Sequence, residues 1–271
     1  MGITNVAELR PRVQQRTDHL YDTVFTRRVS VYLTALLAPV GATANQVSTA
    51  GIGVGLASCL LIAFGSGWSL LIGILFVHLY AVLDSVDGEL ARLRRQFTLK
   101  GLYLEDLSAY YIIVGFPLSV AWHVARAGLG PWPVVLAVVF GAFGRNGIAV
   151  ARRAVIKSIQ TKRPAVRVAP PEGGTESWIR RVIDGHVLNH TNIRLVVSTA
   201  LVAETLAGRP PQVTSALLVA AVFGLLAREA ATVVHMLRRD TLDGLLWQVY
   251  EDAKTVNEDP SRVDALQLAK Y

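Results

Sequence analysis

Cysteine and charge are what this sequence has least of. A single cysteine, Cys59, excludes an internal disulfide framework and a cysteine-ligated zinc site. It lies in an apolar run and reads as packing against lipid or core. Charged residues make up only 17% of the 271 residues, against about 25% in a soluble domain. That deficit calls for an apolar solvent. Residues 1–17 are polar and lack an apolar core, so they do not read as a signal peptide. No internal repeat or low-complexity tract is present.

What the chain does have is long apolar segments. Hydrophobic residues reach 52% and mean hydropathy is +0.41. Six runs approach the roughly 20 residues that a bilayer requires: 47–65, 69–84, 103–124, 133–150, 193–206 and 213–237. The net charge of +7 sits beside these runs, which reads as loops facing anionic lipid and not as a nucleic-acid surface. Arg92, Arg94, Arg95 and Lys100 fall between the second and third runs. Eight further basic residues from Arg152 to Arg181 fall between the fourth and fifth, while only Arg126 and Arg209 lie on the other side. The positive-inside rule then puts both termini in the cytoplasm.

Residues 13–38, with Arg27 and Arg28 among apolar positions and Pro39 after them, read as an amphipathic helix on the inner surface. An ordinary cytoplasmic helix is the plainer alternative. Residues 161–175, rich in proline and glycine, read as a flexible loop. The expected fold is an all-α integral membrane protein, a six-transmembrane-helix bundle with an N-terminal amphipathic interfacial helix. Its divisions are an interfacial segment 1–40, a membrane domain 41–237 and a cytoplasmic tail 238–271.

The chemistry concentrates at the end of the second run. Asp84 and Asp87 are three apart, and Gly88, Ala91 and Arg95 follow on the same helical face at 100° per residue. Gly88 and Ala91 leave that face bare, so a bulky ligand can approach the backbone. Gly101 opens the next helix, and Glu105 falls opposite the aspartates if the two helices are antiparallel. A carboxylate at the centre of a membrane helix costs on the order of 2.5–3.5 kcal/mol, and three together repel one another. A cation offsets this, and hard oxygen donors favour Mg²⁺, Mn²⁺ or Ca²⁺. Arg92, Arg94, Arg95 and Lys100 border the site and suit phosphates. The plainer reading pairs these acids with the neighbouring arginines at a helix end.

The series Asp84, Asp87, Gly88, Ala91, Arg92, Gly101, Glu105 resembles the signature of the CDP-alcohol phosphotransferase family. The segment Ala42-Thr43-Ala44-Asn45-Gln46-Val47-Ser48 is similar to the stretch that opens the family's first helix, with Ala44 for proline and Ser48 for threonine. The resemblance implies a six-helix membrane bundle, often dimeric, that joins a CDP-linked donor such as CDP-diacylglycerol to a polar alcohol or alcohol phosphate and releases CMP. It implies metal ligation, by Mg²⁺ or Mn²⁺, through Asp84, Asp87 and Glu105. Nucleotide contacts fall to Asn45, Ser48, Asp84, Gly88, Ala91, Arg92 and Gly101. The product belongs to phospholipid biosynthesis in a cytoplasmic membrane.

The sequence departs from the pattern at two places. Glu105 stands where aspartate is usual, keeping the charge with one methylene more of reach. Ala109 stands where the family has a fourth acid, the base for the acceptor hydroxyl. Asp87, Glu105 and Asp106 are the catalytic candidates, with Asp106 as the nearest replacement base although it is rotated 100° from Glu105. A second explanation is an acceptor that needs no strong base, such as an anionic phosphate. A third is a catalytically silent protein that binds a CDP-alcohol or lipid.

Arg95, Arg145 and Arg228 are candidates for an acceptor phosphate, with Asn146, Asn192, Arg194 and Glu229 sharing the same membrane-end placement. His186 and His190, four apart, form a weak metal pair. Pro117 is expected to kink the third run, and Gly51, Gly53 and Gly55 to let helices pack closely. Trp68 and Trp132 suit anchoring at span ends.

Overall fold

The computed structural model describes residues 6–14, 21–96, 98–143 and 190–236. Every element among them is helical. The elements are α1 (Val6–Val13), a π-helical turn (Asp22–Thr26) leading into α2 (Arg27–Leu37), α3 (Ala44–Phe64), α4 (Trp68–Arg94), α5 (Leu99–Val124), α6 (Trp132–Phe143), α7 (His190–Leu206) and α8 (Gln212–Met236). The chain divides into two compact units. One is Met1–Val138 with Trp178–Phe223, and the other is Val139–Ser177 with Gly224–Tyr271. The acidic signature lies wholly in the first.

The helix ends follow from local sequence. Thr43 caps α3 by accepting the Gln46 N–H at 3.3 Å, while the Gln46 side chain accepts the Thr43 N–H at 2.8 Å, a reciprocal capping box. Thr98 caps α5 by accepting the Gly101 N–H at 3.0 Å. Helix α4 stops where Arg95 turns left-handed at φ 52° and Gln96 N–H donates back to the Ala91 carbonyl at 3.0 Å. Glu204 joins α7 to α8. Its oxygens accept the Val213 N–H at 2.7 Å, the Thr214 N–H at 3.0 Å and the Thr214 hydroxyl at 2.6 Å. A carboxylate at a helix N-terminus satisfies donors that the helix itself leaves open.

Helix α4 is the hub of the first unit. It packs against α3 throughout and also touches α1, α2 and α7, while α5 lies on α3. Close approach comes from glycines: a Cβ at Gly73 would stand 2.8 Å from Leu61 Cβ, and one at Gly55 would stand 2.4 Å from Ile112 Cδ1. Gly51 makes only ordinary contacts and Gly53 faces open space, so the expected packing role falls mainly on Gly55. Val47, Val82, Val86 and Leu90 form one core, with Leu33 and Leu37 against it.

Helices α3, α4, α5 (with the turn after it) and α8 are long and apolar enough to cross a membrane. The outward faces agree. Leu56, Leu60 and Phe64 on α3 and Ile72, Leu75 and Leu79 on α4 are exposed at helical spacing, a surface that water does not tolerate. The chain is therefore a membrane protein. Of the other two expected spans, 12 residues of α6 and 17 of α7 are described, all helical. Trp68 and Trp132 are exposed at the first residues of α4 and α6, and α5 runs unbroken through Pro117. Cys59 is half-buried beside Gly115. The proline-rich loop, the tail, Arg145, Asn146 and His186 lie outside the described residues.

The single helix expected over 13–38 is instead α1 ending at Val13 and a separate helical stretch from Tyr21. That stretch follows α4 in the same direction. Tyr21 meets His78, Ser30 and Thr34 meet Glu89, and the Ala38 carbonyl meets Arg94. Ser30 and Thr34 face α4, and Val29, Tyr32 and Leu36 are exposed.

Candidate functional site

Asp87 is the pivot of the site. It is buried on α4, and the Ser48 hydroxyl of α3 donates to its Oδ2 at 2.6 Å. Asp84, one turn earlier, is exposed, as is Glu105 near the start of α5. The charges that act on Asp87 are those of Asp84 first and Glu105 second, so three acids from two helices share one neighbourhood. Their donors are all hard oxygens, the kind Mg²⁺ or Mn²⁺ prefers. Among the described residues, however, no three such side chains are drawn together tightly enough to form a finished metal cage.

Beside the acids, Arg92 folds back over Gly88. A Cβ at Gly88 would stand 3.2 Å from Arg92 Nη1 and 3.3 Å from Nη2. The Arg92 Nε donates to the carbonyl of Val13 at the end of α1. On the other flank Gly101 meets the start of α3, where its Cβ would stand 3.2 Å from Asn45 Oδ1. Thr43, Asn45, Gln46, Thr49, Ala50 and Lys100 line an open cleft of about 580 Å³ there. Asn45, Ser48, Asp84, Asp87, Gly88, Ala91, Arg92, Gly101 and Glu105 thus lie on three adjoining helix ends.

Other predicted residues fare differently. Asp106 is exposed and is not among the charges acting on Asp87. Arg95 is exposed at the left-handed end of α4. Arg228 lies on α8 within the second unit.

Residues 42–239 match the model of the CDP-alcohol phosphatidyltransferase family. The chain belongs to this family. No curated protein matches it closely enough to name a relative. CDP-alcohol phosphatidyltransferases are transferases that take a phosphatidyl group from a CDP-alcohol in phospholipid synthesis. The Asp84–Glu105 signature and the Asn45 segment both fall inside the match. The helices α1 and α2 fall outside it.

Three features escaped the sequence reading. Glu89, inside the signature, is fully buried and faces away from Asp87. It accepts the Ser30 hydroxyl at 2.6 Å, the Thr34 hydroxyl at 2.6 Å and the Gln14 amide at 3.1 Å. A charged residue inside an apolar helix, opposite a Ser-x-x-x-Thr pair, was the available signal. Second, Tyr21 Oη lies 2.6 Å from His78 Nδ1, and His78 Nε2 lies 3.0 Å from Ser198 Oγ on α7. Burial pushes the Tyr21 hydroxyl up to about 12, which keeps it protonated as a donor. Third, Arg194, read from the sequence only as a charge at the start of a span, is buried over the Tyr80 ring at 5.8 Å, and its Nη1 has no hydrogen-bond partner.

Proposed function

We propose that this chain moves a phosphatidyl or other substituted phosphoryl group from a CDP-linked donor to a polar acceptor, releasing CMP, at the Asp84–Arg92 end of α4. The observation that carries this is the meeting of Ser48, Asp87, Gly101 and Asn45 on three helix ends of a chain in this family. The reading places that end, both termini and the basic loops on the cytoplasmic side.

Each residue has work that its position supports. Ser48 holds Oδ2 of Asp87 and fixes the orientation of the carboxylate. Gly88 lets the Arg92 guanidinium lie flat on α4, where it can meet a phosphate oxygen. Gly101 keeps the mouth of the cleft open beside Asn45, where a cytosine ring has polar groups to meet. Asp84, Asp87 and Glu105 would hold Mg²⁺ or Mn²⁺, which when bound neutralises charge on a diphosphate. Phosphoryl transfer relies chiefly on such positioning and neutralisation.

The acceptor side differs from the family pattern. Ala109 offers no proton acceptor. Next to it, Ser108 accepts from the Tyr80 hydroxyl at 3.4 Å, and the buried Arg194 cation covers the Tyr80 ring. A cation in that region supports an anionic acceptor such as an alcohol phosphate, which needs less help from a base. The second reading, a silent CDP-alcohol or lipid binder, is favoured by Ala109 alone.

Two measurements separate the readings. CDP should bind the purified protein more tightly with Mn²⁺, and Asp87→Asn should remove the gain. An absence of nucleotide binding at millimolar concentration sinks both readings. CMP release from CDP-diacylglycerol across a panel of alcohols and alcohol phosphates then distinguishes enzyme from binder.

A further inference from the structure

Arg27, the first residue of α2, buries two N–H groups, Nε and Nη1, that have no hydrogen-bond partner. Leaving buried donors unmet costs free energy, and more so on a charged group. The location of this guanidinium suggests what would meet them. The Arg27 carbonyl accepts the Gln14 side-chain amide, and the same amide nitrogen reaches Glu89. The Arg92 Nε donates to Val13, the residue before Gln14. The Arg27 backbone and the Arg92 side chain therefore both meet the last turn of α1.

Among neighbouring charges, Arg27 acts on Arg92 ahead of Glu89, Asp87 and Glu105. The Glu89 charge acts on Arg92, but no hydrogen bond joins Glu89 to the open Arg27 donors. Both Glu89 oxygens are taken by Ser30, Thr34 and Gln14. Arg92, lying over Gly88, thus has a like charge acting on it from Arg27, whose buried donors are unmet. Like charges held this way call for an anion with several acceptor oxygens. A phosphate meets the planar fork of arginine best.

We infer that Arg27 and Arg92 form a phosphate-binding pair, and that the phosphate is in the diphosphate of the CDP-linked donor. This rests on the donor reading given above. It assigns a substrate contact to α2, a helix outside the family match. The phosphodiester of an anionic lipid headgroup offers the same chemistry, and the test separates the two sources.

The full chain is placed in phosphatidylcholine nanodiscs and titrated with CDP in the presence of Mn²⁺. Arg27→Gln should weaken CDP binding about tenfold or more, the worth of a charge-assisted hydrogen bond. Arg27→Lys should weaken it less. The ligand-free Arg27→Gln protein should melt no lower than wild type, because Nε and Nη1 have no hydrogen bonds to lose. A merely structural arginine would instead lower the melting temperature and leave CDP affinity alone. If wild type binds CDP and Arg27→Gln binds it equally well, the inference is overturned while the donor reading stands. If wild type does not bind CDP, the donor reading itself has failed. A parallel arm compares nanodiscs with and without phosphatidylglycerol in the absence of nucleotide. Loss of lipid-dependent stabilisation in Arg27→Gln, with CDP binding intact, overturns the donor assignment and gives the phosphate to lipid.

Discussion

Removing the hydroxyls that hold Glu89 should loosen α1 and α2 from the signature helix. The informative substitutions are Ser30→Ala and Thr34→Val, the second close to isosteric. Each deletes a 2.6 Å hydrogen bond to a fully buried carboxylate. Such bonds contribute about 1.5–3 kcal/mol each. The pair of substitutions should cost less than the sum, since a partly freed carboxylate can draw in water. A loss of that size raises the open population roughly 10- to 100-fold per site. Trypsin reads it directly. Arg12 is exposed but the next residue, Val13, is fully buried against Val31 and Leu93, so cleavage there requires the segment to lift. Cleavage after Arg12 in the folded protein should accelerate accordingly, and Thr34→Ser should stay near wild type. Acceleration below twofold in both deletions would refute the claim that Glu89 is the tether.

Three further outcomes follow from packing and capping. Gly73→Ala puts a Cβ 2.8 Å from Leu61 Cβ and 3.0 Å from the Ile62 backbone nitrogen, so it should cost about 1–3 kcal/mol in reversible unfolding in mixed micelles. Glu204→Ala removes three bonds at the start of α8 and should cost about 1–2 kcal/mol by the same measurement, with CDP affinity unchanged. Gly101→Ala crowds Asn45 Oδ1 at 3.2 Å and should weaken CDP binding while leaving the melting temperature within about two degrees of wild type. Loss of stability with unchanged affinity would refute a role for the Gly101–Asn45 approach in nucleotide binding.

The acidic face was legible because helical periodicity alone puts Asp84, Asp87, Gly88 and Ala91 together, and the eight-residue gap to Gly101 is short enough to bring α5 alongside. The Ser48–Asp87 bond was anticipated only as neighbourhood, since spacing along α3 says nothing of how far α3 is turned toward α4. Glu89 was illegible for a different reason. It lies 200° round the helix from Asp87, and its partners come from a segment whose route along α4 no local pattern announces. Residues 13–38 showed their amphipathicity, but the pattern leaves open which face meets protein. Here the hydroxyls of Ser30 and Thr34 turn inward and the apolar side outward. The Tyr21–His78–Ser198 chain joins three positions separated by 57 and 120 residues, beyond the reach of any motif.

The burial of Glu89 sets the minimum length of a working protein. A chain begun at residue 42, where the family match starts, keeps every signature residue but strips away Gln14, Ser30 and Thr34. The carboxylate would then lose all three of these donors, and one remedy is for α4 to rotate and bring Glu89 to water or to a basic side chain. That same rotation would carry Asp84 and Asp87 off the α3 and α5 helix ends. The N-terminal helices would thus hold α4 in its orientation through Glu89, and tags or deletions in the first 40 residues are expected to change catalysis.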